Sequence, residues 1–126
     1  MSKIVGIDLG TTNSLVATVD SGIPYVIADA EGKRLTPSVV HFPANGPALV
    51  GDSANRIRAV DPKRTFYSVK RFIGRKSSEL SDEETQVHYS LATLPDGRVG
   101  LQSPERLFAP EEVSAEVLKK LREIAA

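Results

Sequence analysis

Apolar and polar positions alternate in short runs through the first half of the chain and settle into a helical period only near its end. Ile4-Val5-Gly6-Ile7 and Leu15-Val16-Ala17-Thr18-Val19 are each strand-length and rich in β-branched residues. The Gly, Thr, Asn and Ser between them have turn chemistry, so the pattern predicts a β-hairpin. Tyr25-Val26-Ile27 reads as a third strand. Thr36 to Phe42 follows as another, with Pro37 near its start, where a missing N–H is tolerated, and then Ala48-Leu49-Val50-Gly51. Consecutive short strands favour antiparallel neighbours over strand–helix–strand units.

The second half mixes periods. Asp52 is placed to cap a helix over Ser53 to Val60, which Asp61-Pro62 would end. Thr65 is placed to cap a second helix over Phe66 to Ile73, with Gly74 as its stop. Ser81-Asp82-Glu83-Glu84 has the composition of a short helix start. His88 to Leu94 and Arg98 to Gln102, around Pro95-Asp96-Gly97, predict a second and more exposed hairpin. Pro110-Glu111-Glu112 opens a final helix, with Pro at the first position and acids in the first turn. Val113, Val117, Leu118, Leu121 and Ile124 hold its helical period. The chain stops at Ala125-Ala126 with no capping signal, as expected of a helix cut short by truncation. The expected fold class is mixed α/β.

Composition narrows the functional classes. The 126 residues suffice for one domain with a modest core. Sixteen Lys and Arg balance sixteen Asp and Glu, well mixed along the chain, so no basic patch points to nucleic acid. There is no cysteine, which removes disulfides and thiolate metal sites. No apolar run is long enough for a signal peptide or a membrane span. A cytoplasmic protein without membrane or nucleic-acid partners is the expectation.

The chemistry concentrates at the first turn. Gly10, Thr11, Thr12 and Asn13 offer successive main-chain N–H groups, two hydroxyls and a glycine that permits close approach. Asp8 ends the preceding strand. A carboxylate beside a loop of donors suits a cation and a phosphate chain held together; the alternative is a surface hairpin with a polar tip. In the helix expected over Phe66 to Ile73, Phe66, Val69 and Ile73 share a face, with Phe72 at its edge. Lys70 lies about 40° from Phe66. Its ammonium either snorkels to water or enters a cleft to meet an anion. His41 and His88 sit in strand-like runs and read as packed or surface histidines. Thr11, Thr12 and Ser14 have no general base near them in sequence.

In order along the chain stand Gly6-Ile7-Asp8-Leu9-Gly10-Thr11-Thr12-Asn13-Ser14, then Glu31-Gly32-x-Arg34-x-Thr36-Pro37-Ser38 and Leu49-Val50-Gly51. Val69-Lys70-Arg71-Phe72-Ile73-Gly74-Arg75 and Ser114-Ala115-Glu116-Val117-Leu118-Lys119-Lys120-Leu121 follow. These five blocks resemble, in family order, the heat-shock protein 70 chaperones, the DnaK-like ATPases. Leu15 to Val19 and Pro37 to His41 also resemble the branch that serves iron–sulfur cluster assembly. The resemblance implies an actin-like, ribonuclease H-like ATPase fold, with residues 1–126 as the N-terminal portion of that domain. It implies that Gly10, Thr11, Thr12 and Asn13 contact the phosphates of ATP or ADP, that Asp8 faces the water shell of Mg2+, and that Lys70 is catalytic. For the full-length parent it implies unfolded peptide clients, a J-domain co-chaperone and a nucleotide exchange factor.

The family's ATPase domain is far longer and grips the phosphates between two hairpin loops, of which this sequence contains the first. The linker and the peptide-binding domain are likewise not in it. Weak phosphate binding and no hydrolysis by the chain alone are therefore expected, with sheet edge and apolar surface left uncovered. A sugar kinase of the actin-like superfamily and a non-catalytic interaction module are the alternatives.

Overall fold

The structure is a computed structural model describing residues 4–126. Its first element is the predicted hairpin. β1 (Val5–Leu9) and β2 (Asn13–Asp20) pair antiparallel, with Val5 opposite Thr18 and Leu9 opposite Ser14. β3 (Ile23–Val26) and β4 (Thr36–Pro37) take the other edge of β2 at its two ends. Pro24 sits in β3, an edge strand where its missing N–H costs no ladder bond. Along β2, Ser14, Val16 and Thr18 are buried, and the alternation marks the face turned to the core.

The run from Thr36 to Phe42 is not one strand. It breaks at Ser38, and the chain changes sheet there. β5 (Val39–His41) pairs with β6 (Leu49–Val50) on one side and β7 (Thr65–Tyr67) on the other. A third sheet holds β8 (Ser90–Thr93), β9 (Val99–Gln102) and β10 (Leu107–Phe108). The second hairpin is therefore where the sequence placed it, but it is not the exposed feature expected. Val99, Gly100 and Leu101 are buried, because β10 and the final helix close over β9. Every strand pair is antiparallel among the described residues.

Three helical expectations are corrected. α1 spans Asp52–Ile57, shorter than expected, and its cap is Gly51 at φ 88° and ψ −136°, a backbone region open to glycine. Asp52 makes no side-chain cap; its carboxylate is held by Lys33 Nζ at 2.8 Å. Phe66 to Ile73 is not a helix. Thr65, Phe66 and Tyr67 join the β5 ladder, Ser68 adopts a left-handed φ of 55°, and Val69–Phe72 form a 3-10 turn. Phe66 is buried from the strand, Val69 and Phe72 are buried three positions apart in the 3-10 turn, and Ile73 is exposed. Around Ser81 to Glu84 a single turn forms in place of a helix. Glu84 is committed both to the Ser81 N–H, at 3.0 Å, and to Arg75, at 2.8 Å.

α2 (Pro110–Ala125) matches its expected start. The Glu112 carboxylate accepts the Ala109 N–H at 3.0 Å, and Val113, Val117 and Leu121 are buried. It lies across β1 and β2 and against the 3-10 turn at Val69. Leu118 remains exposed at 40%. The core between α2 and the sheets is aromatic. Phe42 stacks on Phe108 with ring centroids 4.2 Å apart, and Phe66 meets Tyr89 edge-on at 5.0 Å. Tyr89 donates its hydroxyl to the Tyr67 carbonyl at 2.6 Å, and burial raises its pKa. His41 is a packed histidine: it is 4% exposed, and its Nε2 meets Asp61 Oδ2 at 3.0 Å. By contrast, Ile7, Val19, Ile23 and Tyr25 of the first sheet are exposed.

Glu84 gives this architecture a pH signature. Its contacts with Arg75 and the Ser81 N–H lower its pKa from 4.5 to about 2. A depressed folded-state pKa means that the contribution is complete above pH 4.5 and fades as pH falls toward 2. Urea unfolding of wild type and Glu84→Gln should therefore differ most near neutrality and converge in acid. A gap independent of pH would contradict this.

Candidate functional site: the first hairpin turn

Gly10, Thr11 and Thr12 connect β1 to β2. A Cβ on Gly10 would lie 2.2 Å from the Asn13 carbonyl oxygen, so the turn closes only because residue 10 has no side chain. The turn is also fastened from outside. Ser38 Oγ donates to the Gly10 carbonyl at 2.8 Å, and Ser38 N–H donates to the Thr12 carbonyl at 2.8 Å. Ser14 Oγ lies 2.8 Å from Ser38 Oγ. Because the Ser38 proton is directed to Gly10, Ser14 is the donor of that pair. Two turn carbonyls thus face inward.

The polar groups on the other side are free. Among the described residues, the main-chain N–H groups of Thr11 and Thr12 have no protein acceptor, and the side chains of Thr11, Thr12 and Asn13 make no hydrogen bond. All three residues are exposed. The Lys70 ammonium and the Asp8 carboxylate likewise have no ion-pair partner there.

Lys70 reaches this turn by a route the sequence did not show. Ser68 at φ 55° ends β7, and the 3-10 turn that follows buries Val69 and Phe72 and leaves Lys70 exposed. A non-glycine residue at positive φ is uncommon, and here it redirects the chain. Lys70 lines a narrow cleft with Leu9, Gly10, Thr11 and Ser38, floored by Val113 and Val117 of α2. The free volume is about 10 Å³, room for about one water. The lysine is therefore at the cleft and not on an unrelated surface.

Asp8 stands elsewhere. Residues opposite each other in the ladder share a face, so Leu9 lies with Ser14 toward α2, while Asp8 lies with Leu15 on the other side of the sheet. Carboxylate and ammonium thus flank the turn from opposite faces. No group of three His, Cys, Asp or Glu capable of holding a metal occurs among the described residues. Asp8 is thus a single carboxylate, without the further ligands that a cation caged by protein alone needs.

Ser38 and Ser68 are the residues sequence reasoning missed as site builders. Ser38 was part of a recognisable block, but nothing local signals that its hydroxyl fastens a turn 28 positions away.

A mixed α/β body carrying this turn at its first hairpin is consistent with the N-terminal part of an actin-like ATPase domain. The chain belongs to the Hsp70 family, whose model, described as Hsp70 protein, matches residues 4–126. It is 54% identical to chaperone protein dnaK3 of Thermosynechococcus vestitus over the whole chain and 19% of that protein. It is 52% identical to chaperone protein dnaK of Cyanidium caldarium over the whole chain and 21% of that protein. With the stromal 70 kDa heat shock-related protein, chloroplastic, of Pisum sativum, identity is 54% over 94% of the chain and 17% of the relative. The chain thus spans about a fifth of the length of the curated relatives it matches. Family membership sets the sugar-kinase alternative aside.

Replacing Ser38 by Ala removes both side-chain fastenings and strands the Ser14 hydroxyl, which has no exposed surface. We expect Ser38→Ala to cost about 1–3 kcal/mol in urea unfolding, with faster amide exchange at Thr11 and Thr12. Unchanged stability would show that the hydroxyl chain does not hold the turn.

Proposed function

We propose that this chain supplies the first phosphate-binding hairpin and the catalytic lysine of an ATP-dependent Hsp70 chaperone. The observation that carries the proposal is that Gly10, Thr11 and Lys70 line one cleft, with free donors on both sides of it. Thr11 and Thr12 N–H groups, with Asn13, bind phosphate oxygens of ATP or ADP. Lys70 holds the terminal phosphate and orients the attacking water. Phosphoryl transfer needs placement and charge neutralisation more than covalent help, and an ammonium beside a donor turn contributes to both. Mg2+, when bound, neutralises charge on the phosphate oxygens, and Asp8 holds its water shell.

Residues 1–126 are read as the N-terminal portion of the nucleotide-binding domain. In the whole protein, ATP turnover would drive capture and release of unfolded peptides, with a J-domain co-chaperone and a nucleotide exchange factor as partners. The relatives' names, two chaperones dnaK and a stromal heat shock-related protein, support the chaperone reading. No helix among the described residues is long and apolar enough to cross a membrane, in keeping with a place in the cytoplasm or an equivalent organellar compartment. The described residues offer one donor turn and one lysine to a phosphate chain. We therefore expect weak binding and no turnover by the 126-residue chain itself.

Titration with magnesium ATP, followed by amide NMR, should move Thr11, Thr12 and Asn13. Lys70→Ala should weaken that response about ten-fold, the scale of one charge-assisted hydrogen bond. Turn amides that stay still while others move would overturn the assignment, and hydrolysis lost with Lys70→Ala would refute the expected inactivity.

A further inference from the structure

Arg58 is the cation that the phosphate reading leaves unused. It follows α1, is half-buried, and sets its guanidinium carbon over the Tyr67 ring, 3.5 Å from the centroid. Four arginines of the chain are held by carboxylates, and Arg34, Arg56, Arg71 and Arg122, which have no such partner among the described residues, do not line the groove beside Arg58. Arg64 holds Asp61 and Glu105, Arg75 holds Glu84, Arg98 holds Asp96 and Glu111, and Arg106 holds Glu112. Arg58 has no carboxylate partner among the described residues.

Its surroundings are specific. Arg58 lines a groove of about 310 Å³ whose opposite wall is Thr11, Thr12 and Asn13, with Asn55 and Ser68 adding polar groups. No Asp or Glu lines this groove, so the guanidinium is its one formal charge. Thr11 and Ser38 line both this groove and the Lys70 cleft. The turn therefore stands between two cations, in spaces of very different size. The Lys70 side has about 10 Å³ free and the Arg58 side about 310 Å³. The Arg58 side is the roomier space for a phosphate chain, and the Lys70 side meets it at Thr11, which lines both.

We propose that Arg58 is a second phosphate-binding residue. A di- or triphosphate anion lies in the Arg58 groove along Thr11–Asn13, its end held by Lys70 from the tight side and its flank by the Arg58 guanidinium. The inference rests on the proposed role of the turn and adds where the anion lies and what else grips it. Contact with the Tyr67 ring restrains the guanidinium before binding, so that a fork of donors is already in place for phosphate oxygens. Lysine could replace the charge but not the planar fork.

The test is a titration of the 126-residue chain with inorganic tripolyphosphate, read by amide NMR, in wild type, Arg58→Gln, Arg58→Lys and Gly10→Ala. Conserved spectral dispersion checks folding of each variant. We expect Arg58→Gln to weaken binding about ten-fold, Arg58→Lys to recover part of that loss, and Gly10→Ala to abolish binding by displacing the turn. Arg58→Gln binding like wild type while Gly10→Ala is silent would overturn the role of Arg58 and leave the turn standing. No binding by wild type at tens of millimolar, or binding indifferent to both positions, would overturn both.

Discussion

A chain of two serine hydroxyls governs the site. Ser14 donates to Ser38, and Ser38 donates to the Gly10 carbonyl. Hydrogen bonds are modest in net energy, but a buried hydroxyl without a partner is costly, so each member holds the others in place. The consequence is directional. With the Gly10 carbonyl drawn toward Ser38, the Thr11 N–H of the same peptide unit faces the other way, and neither it nor the Thr12 N–H has an acceptor among the described residues. A turn that satisfied itself internally would have nothing to offer a ligand. This one is rigid because another part of the chain satisfies its carbonyls, and receptive because nothing satisfies its donors.

The same fastening explains why the chain changes sheet at Ser38. Thr36 and Pro37 pair with β2, and Val39 onward pairs with β6 and β7. The residue between them belongs to neither ladder, which leaves its N–H and hydroxyl free for the turn. β7 pairs with β5 and then bends at Ser68, so the sheet that β5 organises also carries Lys70 to the cleft. α2 closes the arrangement from below, with Val113 and Val117 under the cleft and Leu121 deeper in the core. Site and core are thus one packing problem.

Which parts were legible follows from how local their causes are. The first hairpin and α2 were read correctly because strand-length apolar runs, a turn composition and a proline-opened helical period each lie within a short window. The segment from Phe66 to Ile73 was misread because its fate is set elsewhere. Its Phe and Tyr are as suited to a strand as its spacing is to a helix, and the ladder with Val39, Val40 and His41 decides the matter. Asp52 was taken for a cap, but Lys33, far back in the chain, claims the carboxylate and Gly51 supplies the cap conformation. Of the candidate site, Gly10 through Asn13 and Lys70 were visible as residue types. Ser38 and Arg58 were not, since one acts across 28 positions and the other depends on Tyr67 lying in a strand.

Charge shows the same limit in another form. Equal numbers of acids and bases give a formal net charge of zero, and composition alone suggests no anion partner. The structure distributes that balance unevenly. Arginines at positions 64, 75, 98 and 106 are neutralised by nearby carboxylates, as is Lys33 by Asp52. Lys70 and Arg58, one on each side of the Thr11 turn, are not. Two cations without an ion-pair partner among the described residues thus stand beside the free N–H groups of the turn, with the Asp8 carboxylate also at the turn, on the face away from Lys70. Local charge at the turn is therefore a property of how the pairs are allotted, which the net charge of the chain does not reveal.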